Sequence, residues 1–236
     1  MHRRWLWTVR TVLGLVVVGF ALRSTSIWAA TPAAVGHTNR FDREIDAFIE
    51  ADRRSPPVAG AVVFYGSSSF RLWTNLTAAF PEHRVVNRGF GGSQLSDLNW
   101  FFERVIPPQA PKLLLIYGGD NDIASGKSAA QVEADFRTLV GLTRRFCPDT
   151  RIVFVAIKPS PSRLTYLAQQ LDANSRVRRF ARWHRHVDYL DTASPVLDSE
   201  GRPDPRFFLA DRLHLNTDGY RAWQAVIGPY LDRYDR

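Results

Sequence analysis

Five short apolar runs alternate along the chain with longer stretches in which apolar residues recur every three or four positions. The short runs predict strands at 61–65, 84–87, 112–117, 151–157 and 187–191. The longer stretches predict helices at 39–54, 96–105, 128–146, 164–184 and 217–234. Strands that alternate with helices are typical of a parallel sheet covered by helices on both faces. The pattern therefore predicts one α/β domain without internal repeats.

The N-terminal segment has a different pattern. Arg3, Arg4 and Arg10 precede an almost unbroken apolar run at 11–22. This run is shorter than the roughly 20 residues that a membrane-spanning helix needs, but it has the length of a signal-peptide core. We predict that residues 1–30 are a signal peptide or an N-terminal membrane anchor and that 31–236 form the domain. The protein is then exported, either periplasmic or secreted, or held at the membrane by this segment.

Composition and charge narrow the class of protein. The chain has 236 residues, of which 45% are hydrophobic, which fits a folded domain with a full core. The net charge is +8, but four of the basic residues lie in the leader; without them, 27 basic residues stand against 23 acidic ones. Cys147 is the single cysteine, so no intrachain disulfide can form.

An arginine-rich stretch at 176–185 raises the question of a nucleic-acid partner. At helical spacing, Val177, Phe180 and His184 face the core while the arginines face water. We interpret the stretch as a solvated helix face and predict no nucleic-acid partner. The second histidine-containing cluster, His184, His186 and Asp188, is interpreted as packing and capping at a helix-to-strand junction.

Four short segments carry residue types that suit ester hydrolysis. They are 66–69 (GSSS), 89–92 (GFGG), 119–122 (GDND) and 211–214 (DRLH). Three of them follow predicted strands, and ligand sites in such sheets gather outside the carboxyl ends of the strands. Each segment alone is better explained as a turn or a helix cap. All four together predict an active site.

Each segment offers a different chemical group. Ser68 stands between the first strand and a short helix predicted at 70–76, where a serine could act as nucleophile, although Ser67 and Ser69 are alternatives. The glycines of 89–92 can present backbone N–H groups to a ligand, and the Asn121 amide can donate to a developing oxyanion. His214 could accept the serine proton while Asp211 orients its ring.

Other readings of the same residues remain open. A glycine-rich turn could bind phosphate, but the chain has no Gly-x-x-x-x-Gly-Lys-Ser/Thr run. Asp120, Asp122, Asp211 and His214 could bind a metal, but no His-Glu-x-x-His or cysteine-pair spacing is present. A non-catalytic protein that binds carbohydrate or a surface is a third alternative. We predict no metal and no cofactor.

With these segments the chain resembles the SGNH, or GDSL-like, serine hydrolases over roughly residues 62–230. Its block 64–73 (FYGSSSFRLW) is similar to that of a bacterial subgroup with a Gly-Ser-Ser-Ser first block. The resemblance implies that Ser68, Asp211 and His214 are catalytic and that Ser68, Gly92 and Asn121 form the oxyanion hole. The expected fold is α/β, a three-layer αβα arrangement with a five-stranded parallel sheet of flavodoxin-like order 2-1-3-4-5.

The resemblance also implies an activity. We expect a serine esterase that acts through an acyl-enzyme on short-acyl, acetyl-type esters; the alternatives are a lysophospholipase or thioesterase of the same fold and a catalytically dead envelope-binding protein. The expected partner is a small-molecule, glycan or lipid ester, with any membrane contact made through the N-terminal segment.

Two positions depart from the family pattern. Ser67 and Ser93 stand where many members carry aspartate, which we expect to alter loop hydrogen bonds rather than the reaction class. We also expect the loops 158–162 and 198–208 to shape the substrate pocket.

Overall fold

The computed structural model describes residues 40–235, so the predicted leader lies outside the described part of the chain. A five-stranded sheet forms the centre, and all of its strand pairs are parallel. The strands are β1 (Val62–Gly66), β2 (Val85–Gly89), β3 (Leu113–Tyr117), β4 (Arg151–Val155) and β5 (Val187–Leu190). Their order is β2-β1-β3-β4-β5, which confirms the predicted topology.

Helices cover both faces of the sheet. They are α1 (Asp42–Arg54), α2 (Ser68–Arg71), α3 (Leu76–Ala79), α4 (Leu95–Val105), α5 (Asp120–Ala124), α6 (Ala129–Phe146), α7 (Leu167–Arg182) and α8 (Thr217–Tyr234). Because successive strand residues point to opposite faces, Val63 and Tyr65 pack with α1, α4, α6 and α7, whereas Val62 and Phe64 pack with α2, α3 and α8. The result is the expected three-layer arrangement.

Several predicted boundaries differ from the observed ones, and two of the differences affect the site. The helix predicted at 70–76 begins earlier, at Ser68, so this serine is the first residue of α2. Strand β2 continues to Gly89 because Arg88 and Gly89 pair with Tyr65 and Gly66 of β1. The helix predicted from 164 begins at Leu167, after a 3₁₀ segment at Pro161–Tyr166.

The arginine-rich stretch lies at the end of α7. Val177 and Phe180 are buried as predicted, but the prediction for His184 is wrong: it lies beyond the helix end and is exposed. Its ring stacks on Phe180 with centroids 3.8 Å apart. Among residues 40–235, no helix is long and apolar enough to cross a membrane.

The topology sets where a site can form. Strand β1 has β2 on one side and β3 on the other, so the strand order reverses direction there. Loops from the carboxyl ends of these three strands diverge from this point and leave a crevice between them. The segments that follow β1, β2 and β3 are three of the four singled out in the sequence.

Candidate active site

Ser68, His214 and Asp211 form a continuous hydrogen-bonded chain. Ser68 Oγ lies 3.0 Å from His214 Nε2, and His214 Nδ1 lies 2.6 Å from Asp211 Oδ2. Hydroxyl, imidazole and carboxylate therefore have the spacing that proton transfer from the serine requires.

The turn between β1 and α2 exposes one serine of the three. Gly66 ends β1 in close contact with the neighbouring strand β3: a Cβ atom there would lie 2.3 Å from the Tyr117 carbonyl oxygen. Ser67 and Ser69 are buried, whereas Ser68 is half-buried and faces His214. The geometry therefore favours Ser68 over its two neighbours as the nucleophile.

The loop before α8 is organised by the Asp211 carboxylate. Oδ1 accepts the backbone N–H groups of Leu213 at 2.9 Å and His214 at 3.0 Å, while Oδ2 binds the imidazole. Arg212 between them adopts a left-handed backbone with φ of 57°, which makes this tight turn possible. Partial burial would raise the pKa of Asp211, but the hydrogen bonds from His214 and Leu213 lower it to about 2. The carboxylate is therefore ionised at neutral pH.

Three N–H donors, from Ser68, Gly92 and Asn121, line the cleft that also contains His214. Within residues 40–235, the backbone N–H groups of Ser68 and Gly92 have no hydrogen-bond acceptor. Gly92 has a φ of 79°, a conformation that favours glycine. Asn121 Nδ2 donates one proton to the Ser93 carbonyl at 3.0 Å and carries a second one.

Arg163 is a site residue that the sequence analysis missed. Its Nη2 donates to Asn121 Oδ1 at 2.8 Å, and its Nη1 lies 3.0 Å from Asp120 Oδ2. Because an arginine can only donate, this contact fixes which end of the Asn121 amide is the oxygen. Arg163 lies in a 3₁₀ segment with no recognisable motif, so no local signal pointed to it.

Asp122 ties together the two loops that carry Gly92 and Asn121. Its fully buried carboxylate accepts the backbone N–H of Gly119 at 3.0 Å and that of Leu95 at 3.1 Å, and it pairs with Lys127 at 3.0 Å. Burial raises the pKa of Asp122, and Lys127 opposes this effect. In the sequence, Asp122 stood out only as a candidate metal ligand.

Lys158 supports the histidine loop from below. The residue is 1% exposed, and its Nζ donates to the Leu213 carbonyl at 2.8 Å, next to His214 in the chain. Burial lowers the pKa of Lys158 to about 8, with Asp120 and Asp211 favouring and Arg163 opposing the charged form. The lysine thus holds the loop through a hydrogen bond to its backbone. Among the described residues, no carboxylate lies within 4.0 Å of its ammonium group.

The walls of the cleft are largely polar. A cleft of about 460 Å³ lies over Ser68 and His214, and its other walls come from Arg40, Arg71, Gly92, Gln94, Asn121, Ala124, Ser125, Arg163 and Leu213. The loops 158–162 and 198–208, which we expected to shape the pocket, contribute none of the residues that line this cleft. The first lies beneath the site, and Phe208 of the second is buried in the core against α8.

The positions that depart from the family pattern have different surroundings. Ser93 Oγ donates to the Phe90 carbonyl at 2.9 Å and closes the loop that carries Gly92. Ser67 Oγ is buried and has no hydrogen-bond partner among the described residues. Serine therefore keeps a loop contact at 93 and makes no side-chain contact of this kind at 67.

The residues considered as metal ligands belong to separate hydrogen-bond networks. Asp120 pairs with Arg163, Asp122 with Lys127, and Asp211 with His214. In the part of the chain that the structure describes, no group of three or more His, Cys, Asp or Glu side chains could hold a metal ion. The cluster of His184, His186 and Asp188 noted in the sequence does not form one site either, since Asp188 binds Arg151 and Tyr230 instead of the histidines.

Residues 57–222 match the GDSL-like lipase/acylhydrolase family. The chain belongs to this family. It is a carboxylic ester hydrolase of the SGNH type, as the resemblance implied. A search among curated proteins finds no match.

Solved structures show the same fold at low sequence identity. A Streptococcus pneumonia protein described as a platelet activating factor is 20% identical with a TM-score of 0.73, over 80% of this chain and 92% of its own. A GDSL-like lipase from Bacteroides thetaiotaomicron is 17% identical with a TM-score of 0.71, over 80% and 97%. A carbohydrate esterase of family 3 from Talaromyces cellulolyticus is 16% identical with a TM-score of 0.60, over 75% and 98%.

Proposed function

We propose that this hydrolase is a serine esterase that cleaves short-acyl carboxylic esters, acetyl esters in particular, through an acyl-enzyme. The observation that carries the proposal is the hydrogen-bonded chain from Ser68 Oγ through His214 to Asp211, with distances of 3.0 and 2.6 Å. Under this proposal Ser68, His214 and Asp211 are catalytic, and Ser68, Gly92 and Asn121 form the oxyanion hole.

The reaction proceeds in two halves. His214 Nε2 takes the proton of Ser68 Oγ as the oxygen attacks the ester carbonyl carbon, and Asp211 holds the ring with its proton on Nδ1. The oxyanion accepts hydrogen bonds from the N–H groups of Ser68 and Gly92 and from Asn121 Nδ2. The imidazolium then protonates the leaving alcohol. Water, deprotonated by His214, attacks the acyl-enzyme and releases the acid and Ser68.

The preference for a short acyl group rests on the walls of the cleft. Of the residues that line it, Ala124 and Leu213 are the apolar ones, and the rest are glycine, polar or charged. Each buried CH₂ contributes about 0.8 kcal/mol to binding only if it meets apolar surface. A long acyl chain therefore gains little here. The carbohydrate esterase of the same fold supports a sugar ester as one substrate of this kind.

Hydrolysis of p-nitrophenyl acetate, butyrate and octanoate by residues 31–236 tests the proposal. We expect kcat/KM to fall with chain length, Ser68→Ala to be close to inactive, and Asn121→Ala to lose about 10²–10³ in kcat. Ser67→Ala is the matched control, because its buried hydroxyl has no partner among the described residues. A fluorophosphonate probe should label wild type and Ser67→Ala but not Ser68→Ala. Retention of about a tenth of the activity by Ser68→Ala would refute the assignment.

A further inference from the structure

Two arginine side chains lie directly on the glycine loop beside Ser68. A Cβ atom on Gly91 would lie 2.5 Å from Arg71 Nε, and one on Gly92 would lie 2.9 Å from an Nη atom of Arg40. The absence of side chains at these glycines is what lets the guanidinium groups come so close. They therefore lie against the loop that carries the Gly92 N–H, which the proposed oxyanion hole uses.

Neither of these two arginines has a carboxylate partner within 4.0 Å in the described part of the chain. The contact of Arg40 is with the Phe41 ring, 4.9 Å from its centroid. Both arginines are exposed and line the cleft. Glu44 touches the same loop, but its carboxylate accepts the Gly91 N–H at 3.4 Å.

The other charged groups in or beside the cleft are already paired. Arg163 is held by Asp120 at 3.0 Å, and Asp211 is held by His214. The residues that line the cleft include three arginines and no aspartate or glutamate. A cleft lined by charge of one sign concentrates ligands of the opposite sign.

We propose that the natural substrate carries an anionic oxyacid group, a carboxylate or a phosphate, on the alcohol part of the ester, and that Arg40 and Arg71 bind it. Guanidinium groups bind such oxyanions with paired, charge-assisted hydrogen bonds. The anion belongs to the alcohol part because an acetyl group carries no charge. This inference rests on the proposed function and specifies its substrate class.

Matched esters with the same leaving phenol scaffold test the inference. The substrates are 4-acetoxybenzoate, 4-acetoxyphenyl phosphate and the neutral methyl 4-acetoxybenzoate, and the readout is kcat/KM corrected for the intrinsic reactivity of each ester. We expect at least one anionic ester to exceed the neutral one by about tenfold, the size of effect that one charge-assisted hydrogen bond supplies. The anionic ester with the higher corrected kcat/KM shows whether the site prefers a carboxylate or a phosphate. Sodium chloride at 0.5 M should reduce this preference, because salt screens exposed charges.

Arginine variants locate the effect. In Arg40→Gln and in Arg71→Gln, we expect the ratio of corrected kcat/KM for the anionic ester to that for the neutral ester to fall several-fold. In the double variant this ratio should approach one. Arg43→Gln removes an exposed arginine of α1 that does not line the cleft, and its ratio should equal that of wild type.

Equal rates for charged and neutral esters in wild type would overturn the inference and leave the esterase assignment intact. An unchanged ratio in the double variant would also overturn it. Failure to hydrolyse any of the three esters, with no fluorophosphonate labelling of Ser68, would refute the proposed function and the inference with it.

Discussion

Lys158 offers a test of how the site is built, because its ammonium group is buried without a carboxylate partner within 4.0 Å among the described residues. Burial lowers its pKa from 10.5 to about 8, and its Nζ donates to the Leu213 carbonyl beside His214. We consider the change Lys158→Met, which keeps the length and apolar stem of the side chain and removes its titration.

The magnitude follows from proton linkage. Below pH 8 the lysine is protonated in the folded and unfolded states, so its burial costs the folded state the same free energy at each pH. Between pH 8 and 10.5 the folded state has lost the proton and the unfolded state still binds it, so wild-type stability rises with pH. The difference between 10.5 and about 8 corresponds to about 3 kcal/mol in total, of which roughly 2–3 kcal/mol is recovered by pH 10.

Urea unfolding followed by tryptophan fluorescence at pH 7, 8.5 and 10 measures this effect. The wild type should gain stability relative to Lys158→Met over this range. Lys112→Met is the control: it keeps Lys158 and should gain stability with pH as the wild type does, because 39% of the Lys112 side chain is exposed. A difference between wild type and Lys158→Met that stays constant from pH 7 to pH 10 would refute the reasoning. Lys158→Met should also lower kcat, because the loop that carries His214 loses its support.

Three further predictions follow from contacts that surround the site or stabilise the fold. Arg163→Lys should lower kcat about tenfold in steady-state assays and have no additional effect in an Asn121→Ala background, because the arginine acts through that amide; additive losses would contradict this. Asp122→Ala should lower the free energy of unfolding in urea by about 3–5 kcal/mol, because it breaks the ion pair with Lys127 and leaves two backbone N–H groups without an acceptor. A loss below about 1 kcal/mol would contradict this reasoning. Burial lowers the pKa of His83, but hydrogen bonds to Asp235 and Asp232 more than offset this and raise the pKa above 6.5. The stabilisation of the fold by protonated His83 is therefore complete below pH 6.5 and is lost as the pH rises through the folded-state pKa. His83→Gln should therefore lose more stability at pH 5.5 than at pH 9, and an equal loss at both would argue against the ion pairs.

The fold was predictable because its signals are local. Strands β1, β3 and β4 are short, largely apolar runs, β2 and β5 contain two or three apolar residues each, and each long helix shows its own periodicity. Recognition of these elements therefore does not depend on distant contacts. The early start of α2 was missed because Ser67–Ser69 have no helical pattern of their own. Their conformation is set by the packing of Gly66 against β3.

The site could be predicted as far as its residues stand in recognisable segments at strand ends. Ser68, Gly92, Asn121, Asp211 and His214 all line or support one cleft, as the segments implied. Their supporting residues could not be predicted, because each acts across the chain. Arg163 reaches Asn121 over a separation of 42 residues, and Lys158 reaches Leu213 over 55. No spacing rule in a single sequence reveals such contacts.

Esterase activity can be used to follow refolding, because the two side chains that exchange a proton come from distant parts of the chain. Ser68 and His214 are 146 residues apart in the chain, and their hydrogen bond exists only when β1, β3 and the segment before α8 are assembled. Bringing two such distant segments together costs more loop-closure entropy than forming a local helix or turn. Recovery of esterase activity during refolding should therefore report that β1 and the segment before α8 have come together, which helical circular dichroism alone does not report.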